Sequence, residues 1–184
     1  METTTEKMVK TKWALDATHS ELAFKVRHMM ISNVKGEFRK FDSSIIADGA
    51  DFSKASVDIT IDATSIFTKD ETRDAHLKGE DFFDVEKHPT ITFYGSTFKL
   101  INSDAYKLTG MLTIKGVSKE VTLNVEFGGI NQDPWGNKKV GFSVYGKINR
   151  REFGLNWNAA LETGGVLVSD EVKISAEVQF VKQV

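Results

Sequence analysis

Three side chains able to do chemistry fall within four positions: Arg73, Asp74 and His76. An arginine fork can clamp a carbonyl, carboxylate or phosphate oxygen. A histidine near an aspartate can move a proton. Just downstream, Asp81 and Asp84 bracket Phe82 and Phe83, and His88-Pro89 turns into the next apolar run. The cluster has two readings. In one, its ion pairs and hydrogen bonds only hold a local element in place. In the other, Arg73 and His76 meet the polar head of a ligand and Asp74 orients one of them. His28 sits at the end of an apolar alternation, either as a buried, hydrogen-bonded imidazole or facing an aspartate or Ser20 inside a pore. His19, His28 and His76 have none of the short spacings that metal sites prefer, so no metal ligand is assigned.

The element that must position this cluster is a short helix. Thr68 and Glu71 have capping-box spacing, and Gly79 is a natural stop. The spacing predicts a helix from Lys69 to Lys78. Its sequence, KDETRDAHLK, contains only Ala75 and Leu77 as apolar residues. A helix this short and polar is marginal without tertiary support. It lies between an alternating strand (Val57, Ile59, Ile61) and a second strand beginning near Thr90. Its natural place is the end of a sheet or the mouth of a barrel.

The chain of 184 residues can bury a sizeable core in one domain. A net charge of -2 gives no sign of a nucleic-acid partner or of an anionic membrane surface. The absence of cysteine removes disulfides and thiol chemistry. No run is long enough for a transmembrane helix. The start, METTTEKMVKTKW, lacks the apolar core of a secretory leader, which points to the cytoplasm, or to the periplasm if a leader has been removed. Residues 1–12 read as a flexible tail and 13–184 as one domain.

Elsewhere the pattern has a period of two. Leu22, Phe24, Val26 and His28 share one face; Val121, Leu123, Val125 and Phe127 share another; Val172, Ile174, Ala176, Val178 and Phe180 a third. Phe38 and Phe41 break the period and suggest a bulge. Asp51-Phe52-Ser53 reads as a helical turn, residues 128–136 as a long hairpin loop, and Asn149–Asn158 as a short turn that plugs or gates one end. About eight long strands joined by tight turns make an antiparallel all-β domain, either a sandwich or a barrel. The even strand length favours an up-and-down barrel, which at eight strands can hold one ligand.

Several stretches carry a specific resemblance. Trp13-x-Leu15-Asp16-x-x-His19-Ser20, Arg73-Asp74-x-His76-Leu77, Asp81-Phe82-Phe83-Asp84, Gly110-x-Leu112-Thr113-Ile114-Lys115-Gly116-Val117 and Arg151-x-Phe153-Gly154 resemble the YceI-like family, and the match covers nearly everything from Trp13 onward. The resemblance implies an all-β, eight-stranded antiparallel, lipocalin-like barrel with one short helix near the pore end. It also implies binding of a polyisoprenoid, an isoprenoid quinone or another long-chain lipid, and dimers among its members.

Under that resemblance the inner faces either pack as plain core or line a pore. The candidate liners are Leu22, Phe24, Val26, Val57, Ile59, Phe93, Leu112, Leu123, Phe142 and Ile174. Arg73, Asp74, His76 and His28 are the polar candidates. Each buried CH₂ of a ligand contributes about 0.8 kcal/mol, so a long chain needs few polar contacts. The expected partner is such a lipid, for carriage or storage, with no other cofactor. The alternative is an enzyme on the same lipid using His76 or His28 with Asp74. The chain has no G-x-S-x-G or Gly-rich phosphate loop, which favours binding.

Overall fold

The computed structural model describes residues 10–184. The tail expected over residues 1–12 lies outside them up to residue 9. Residues 10–12 already belong to the first strand, β1 (Lys10–Leu15). There follow β2 (Glu21–His28), β3 (Ser32–Phe38), β4 (Phe41–Asp48), β5 (Asp51–Asp62), β6 (Ile66–Phe67), α1 (Glu71–Lys78), β7 (Thr90–Asn102), β8 (Ala105–Ile114), β9 (Val117–Gln132), β10 (Lys138–Asn149) and β11 (Val168–Lys182).

These eleven strands form one sheet, ordered β1-β4-β5-β7-β8-β9-β10-β11-β2-β3-β6, and β1 also pairs with β11. That last pairing closes the ring. All pairings are antiparallel. β1 and β2 are one stave broken at the turn Ala17–His19, because both lie along β11: Leu15 opposite Phe180 and Leu22 opposite Ala176. β3 and β4 are a second broken stave. The architecture is an eight-stave up-and-down antiparallel barrel with a single short α-helix among the described residues.

The irregular period at Phe38 and Phe41 is this second break. Arg39 leaves the ladder and lays its guanidinium 3.4 Å from the centre of the Phe67 ring. The Lys40 N–H finds the Ser65 hydroxyl instead of a strand partner. Two local expectations are corrected. Asp51-Phe52-Ser53 is the start of β5, not a helical turn, because Phe52 must reach the core, where it is 2% exposed. The loop expected over 128–136 is mostly strand: β9 runs to Gln132, with its register shifted opposite Gly141 and Phe142.

The lower half of the barrel is solid. Trp13 packs on Phe52 (5.6 Å between ring centres), Phe52 on Phe142 (5.3 Å), and Phe142 on Phe98, Phe127 and Phe180. Trp13 and Val140 are each 1% exposed. Tilted and edge-on aromatic contacts of this kind add to their burial energy. In the upper half the inner-face residues Leu22, Phe24, Val26, Ile59, Val121, Ile148 and Ile174 are only half-buried. Most of them pack on the core with part of the side chain, and all turn the rest to open space, so this half is hollow.

Two hairpins at the hollow end turn with positive φ. Lys115 and Gly116 (φ 52° and 75°) do so with a glycine at the second position. Met29 and Met30 (φ 51° and 64°) do so without a glycine or asparagine. Backbone there costs an ordinary residue about 1 kcal/mol or more. The Ile31 N–H closes this turn on the His28 carbonyl at 3.2 Å, and Arg27 donates to the Met30 carbonyl from Nε and Nη2 at 3.2 and 3.1 Å.

Candidate apolar cavity and its mouth

The hollow half encloses a cavity of about 580 Å³. Its wall is built by the period of two. On β2 the side chains of Leu22, Phe24, Val26 and His28 line it; Ile59, Phe93, Leu112, Leu123 and Ile174 line it from the other strands. Val34, Phe38, Ile61, Ile91, Ile114, Val121, Ile148 and Val172 join them. The same alternation placed these residues inward, so they were available to the sequence reading.

Close packing shapes the wall. A Cβ on Gly36 would lie 2.2 Å from Cζ of Phe24, so the ring lies flat over that glycine. Phe24 then tilts against Phe38 (5.6 Å), and Phe38 meets the edge of Phe83 (5.8 Å).

α1 sits over the open end. It begins two residues later than the spacing predicts: Asp70, not Thr68, is its N-cap, accepting from the Arg73 N–H at 3.0 Å. Thr68 has a different task. Its N–H donates to Asp74 Oδ1 at 2.9 Å and its hydroxyl donates to the same oxygen. Arg73 donates from Nε to the Thr68 hydroxyl at 2.8 Å and from Nη2 to the Thr68 carbonyl at 2.6 Å. The helix buries none of its residues, so this polar knot anchors it where an apolar stripe would do so in other helices.

His76 is held differently. Its Nε2 is 2.9 Å from Asp81 Oδ2, and its ring meets Phe82 (5.1 Å) and Trp157 (4.8 Å) edge to face. Arg73, His76 and Leu77 line the mouth, with Thr68, Asp70 and Thr72. The acid–base pair of His76 or His28 with Asp74 is not formed, because Asp74 is turned to Thr68 and His76 to Asp81. Asp74 therefore does not line the cavity. Neither do Val57 and Phe142. Val57 is 5% exposed within the core opposite Gly95, and Phe142 belongs to the solid base. His19 lies on an exposed turn, 2.9 Å from Asp16.

The mouth also holds a buried cation that the sequence reading passed over. Arg150 is 3% exposed. It donates to the carbonyls of Ser169 (2.9 Å), Trp157 (2.9 Å), Val168 (3.2 Å) and Leu155, with Asp170 Oδ1 at 3.9 Å. Burial lowers its pKa from the usual arginine value, and Asp170 partly opposes that shift. Its guanidinium fixes the segment 155–169, which supplies Leu155, Trp157, Leu167 and Val168 to the mouth. A signal existed: Val140, Phe142, Val144, Ile148 and Arg150 share one parity, so continuing the alternation carries Arg150 inward. The short turn expected after Asn149 is the 3-10 helix Arg150–Phe153, stopped by Gly154 at φ 77°.

A profile of the YceI-like domain matches residues 13–180. A UPF0312 protein of Staphylococcus aureus (strain USA300) is 43% identical over 171 residues, covering 92% of this chain and 97% of its own. The solved structure of the Campylobacter jejuni YCEI protein superposes with a TM-score of 0.72 at 35% identity, covering 87% of this chain and 91% of that one. Burkholderia cenocepacia BcnA gives 0.76 at 27% identity, over 90% and 98%. A polyisoprenoid binding domain from Saccharophagus degradans shares the fold, at 0.66 and 14% identity, over 93% and 98%. With the family profile spanning nearly the whole barrel, this chain belongs to the YceI-like domain family.

Proposed function

We propose that the barrel binds one long-chain lipid, a polyprenyl chain, an isoprenoid quinone or a fatty acyl chain, with its tail in the cavity and its head at the mouth under α1. The observation that carries this is the hollow upper half: about 580 Å³ walled almost entirely by aliphatic and aromatic side chains, with polar groups confined to one end. Small-molecule sites have this volume and this segregation of polar groups. Each CH₂ taken from water into such a wall contributes about 0.8 kcal/mol, so a chain of several prenyl units binds without a charged anchor. Membership of the YceI-like family supports the same reading.

At the mouth, His76 and His28 are the groups that would meet a carbonyl or phosphate. Arg73 would act more as a positioning residue, because its fork is already engaged by Thr68. The function is carriage or storage, with no chemical step assigned to these groups.

The test is native mass spectrometry of the purified protein, then solvent extraction and identification of what is released. A stoichiometric prenyl, quinone or fatty-acyl species is expected. An empty protein that also takes up no added chain would sink the proposal. An Ile59→Trp variant, which projects a large ring from the wall into the cavity, should keep its fold and lose uptake.

A further inference from the structure

The net charge of the chain conceals a segregation on the outside of the barrel. Lys147 lies directly opposite Lys173, Lys173 opposite Lys25, and Lys25 opposite Lys35. Four lysines thus form a row across β10, β11, β2 and β3. Their strand neighbours Phe24, Val26, Val172 and Ile174 face the cavity, so the row is on the outer face. At the usual strand spacing it spans about 14 Å. Like charges directly opposite one another destabilise a sheet, so folding alone gives no reason for the row.

Carboxylates offset only part of it. Glu171 reaches Lys147 at 3.9 Å, and Glu37 is engaged by Arg39 at 2.9 Å. Farther from the mouth on the same strands, the sign reverses: Glu21 lies opposite Glu177. Towards the cavity mouth the four lysines and Arg27 outnumber Glu171, with Asp170 already held by Arg151 at 2.6 Å, whereas Glu21 and Glu177 face each other away from it.

Directly beyond the row is the β2–β3 hairpin tip, Met29, Met30 and Ile31, exposed by 44%, 51% and 75%. Two methionines at positive φ form a turn that asparagine and glycine would form with less strain. The tip is nonetheless held rigidly. Arg27 bonds the Met30 carbonyl, and the Met29 N–H donates to the Leu167 carbonyl at 2.8 Å. Between Glu21 and Glu37 this arm carries Lys25, Arg27 and Lys35 and no carboxylate. Glu162, in the loop that abuts the tip, is the nearby acidic group in sequence segment 155–169.

An apolar tip continuous with a basic face matches the acyl boundary and headgroup layer of an anionic bilayer. We infer that the protein docks on an anionic lipid surface, with Met29, Met30 and Ile31 in the interface and the lysine row against the headgroups. The cavity mouth then opens onto the membrane. His28, which adjoins the tip, lines that mouth. Docking needs no lipid in the barrel, so its failure leaves the cargo proposal standing, and the reverse holds as well.

The test is sedimentation of the full chain with vesicles of phosphatidylcholine alone or mixed with phosphatidylglycerol. Binding is expected with the mixed vesicles only, and should weaken with salt. Lys25→Gln and Lys35→Gln should each lower partitioning about fivefold. The chain has no cysteine, so an Ile31→Cys variant can carry a single environment-sensitive dye. Its emission should rise and shift to the blue on mixed vesicles. Equal sedimentation with both vesicle types, or lysine variants that bind normally, would overturn the proposal. So would a dye that stays in water while the protein binds, or retention on heparin without vesicle binding.

Discussion

Arg73 donates twice to Thr68, to its hydroxyl at 2.8 Å and its carbonyl at 2.6 Å, and Asp74 receives the Thr68 hydroxyl in turn. One threonine thereby ties both ends of an Arg-Asp pair and fastens α1 to the strand before it. Arg73→Ala should cost about 2 kcal/mol, the worth of partly buried bonds from a charged donor. The loss should be local. Hydrogen exchange of the α1 amides should accelerate, while β7 to β10 keep their protection. Arg73→Lys cannot make both bonds from a rigid fork and should behave much like alanine.

Gly36 lies under the Phe24 ring, with room for no Cβ: the nearest ring carbon would be 2.2 Å away. Gly36→Ala should drive that ring into the cavity. The expected destabilisation is about 1–3 kcal/mol, as for other overpacked sites. Uptake of a fluorescent acyl or prenyl probe should fall more than stability does. Chemical denaturation and probe titration on the same sample separate the two effects.

Arg150 holds four backbone carbonyls in the wall of the mouth. Arg150→Met should leave them without partners and cost about 3–5 kcal/mol, as breaking a buried ionic network does. In a chain of this length that lowers Tm by roughly 10 °C. Arg150→Lys restores the charge but not the fork, and should recover only part of the loss. Thermal unfolding followed by circular dichroism measures both.

Asp16, just past the end of β1, reaches across β11 and braces the barrel seam. Its Oδ2 accepts from Lys139 of β10 at 2.9 Å, and Thr18 and His19 bond the same carboxylate. The Lys139 ammonium, with smaller help from those neighbours, holds the Asp16 carboxyl well below the usual carboxylate range. A depressed folded pKa contributes stability above the unfolded value of about 3.9, and that contribution is lost as pH falls from there towards the folded value. Wild-type stability should therefore drop between about pH 5 and pH 2, with this carboxylate as one contributor. Asp16→Asn should be less stable than wild type at pH 7 and converge on it in acid, as read by denaturant midpoints across pH.

The inward face of each strand was legible because its information is local, whereas alternation alone left a sandwich and a barrel equally open. Period-two runs such as Leu22-Phe24-Val26 and Val121-Leu123-Val125 state which side chains turn inward whatever the strands pair with. Eleven residues expected at the pore do line the cavity: Leu22, Phe24, Val26, His28, Ile59, Arg73, His76, Phe93, Leu112, Leu123 and Ile174. Parity cannot tell height along the barrel, and height separated Val57 and Phe142 from the rest. Both face inward, but they lie where the Trp13–Phe52–Phe142 aromatics fill the space. Partner choice was equally out of reach. Arg73, Asp74 and His76 were visible as a cluster, yet Thr68 and Asp81 claim them through contacts set by how α1 lies over the mouth. The lysine row is the clearest case. Lys25, Lys35, Lys147 and Lys173 are scattered through the sequence, and only the register of four strands brings them side by side. Alternation fixes the face of a residue; its height and neighbours depend on pairings between distant segments, which the tertiary structure alone decides.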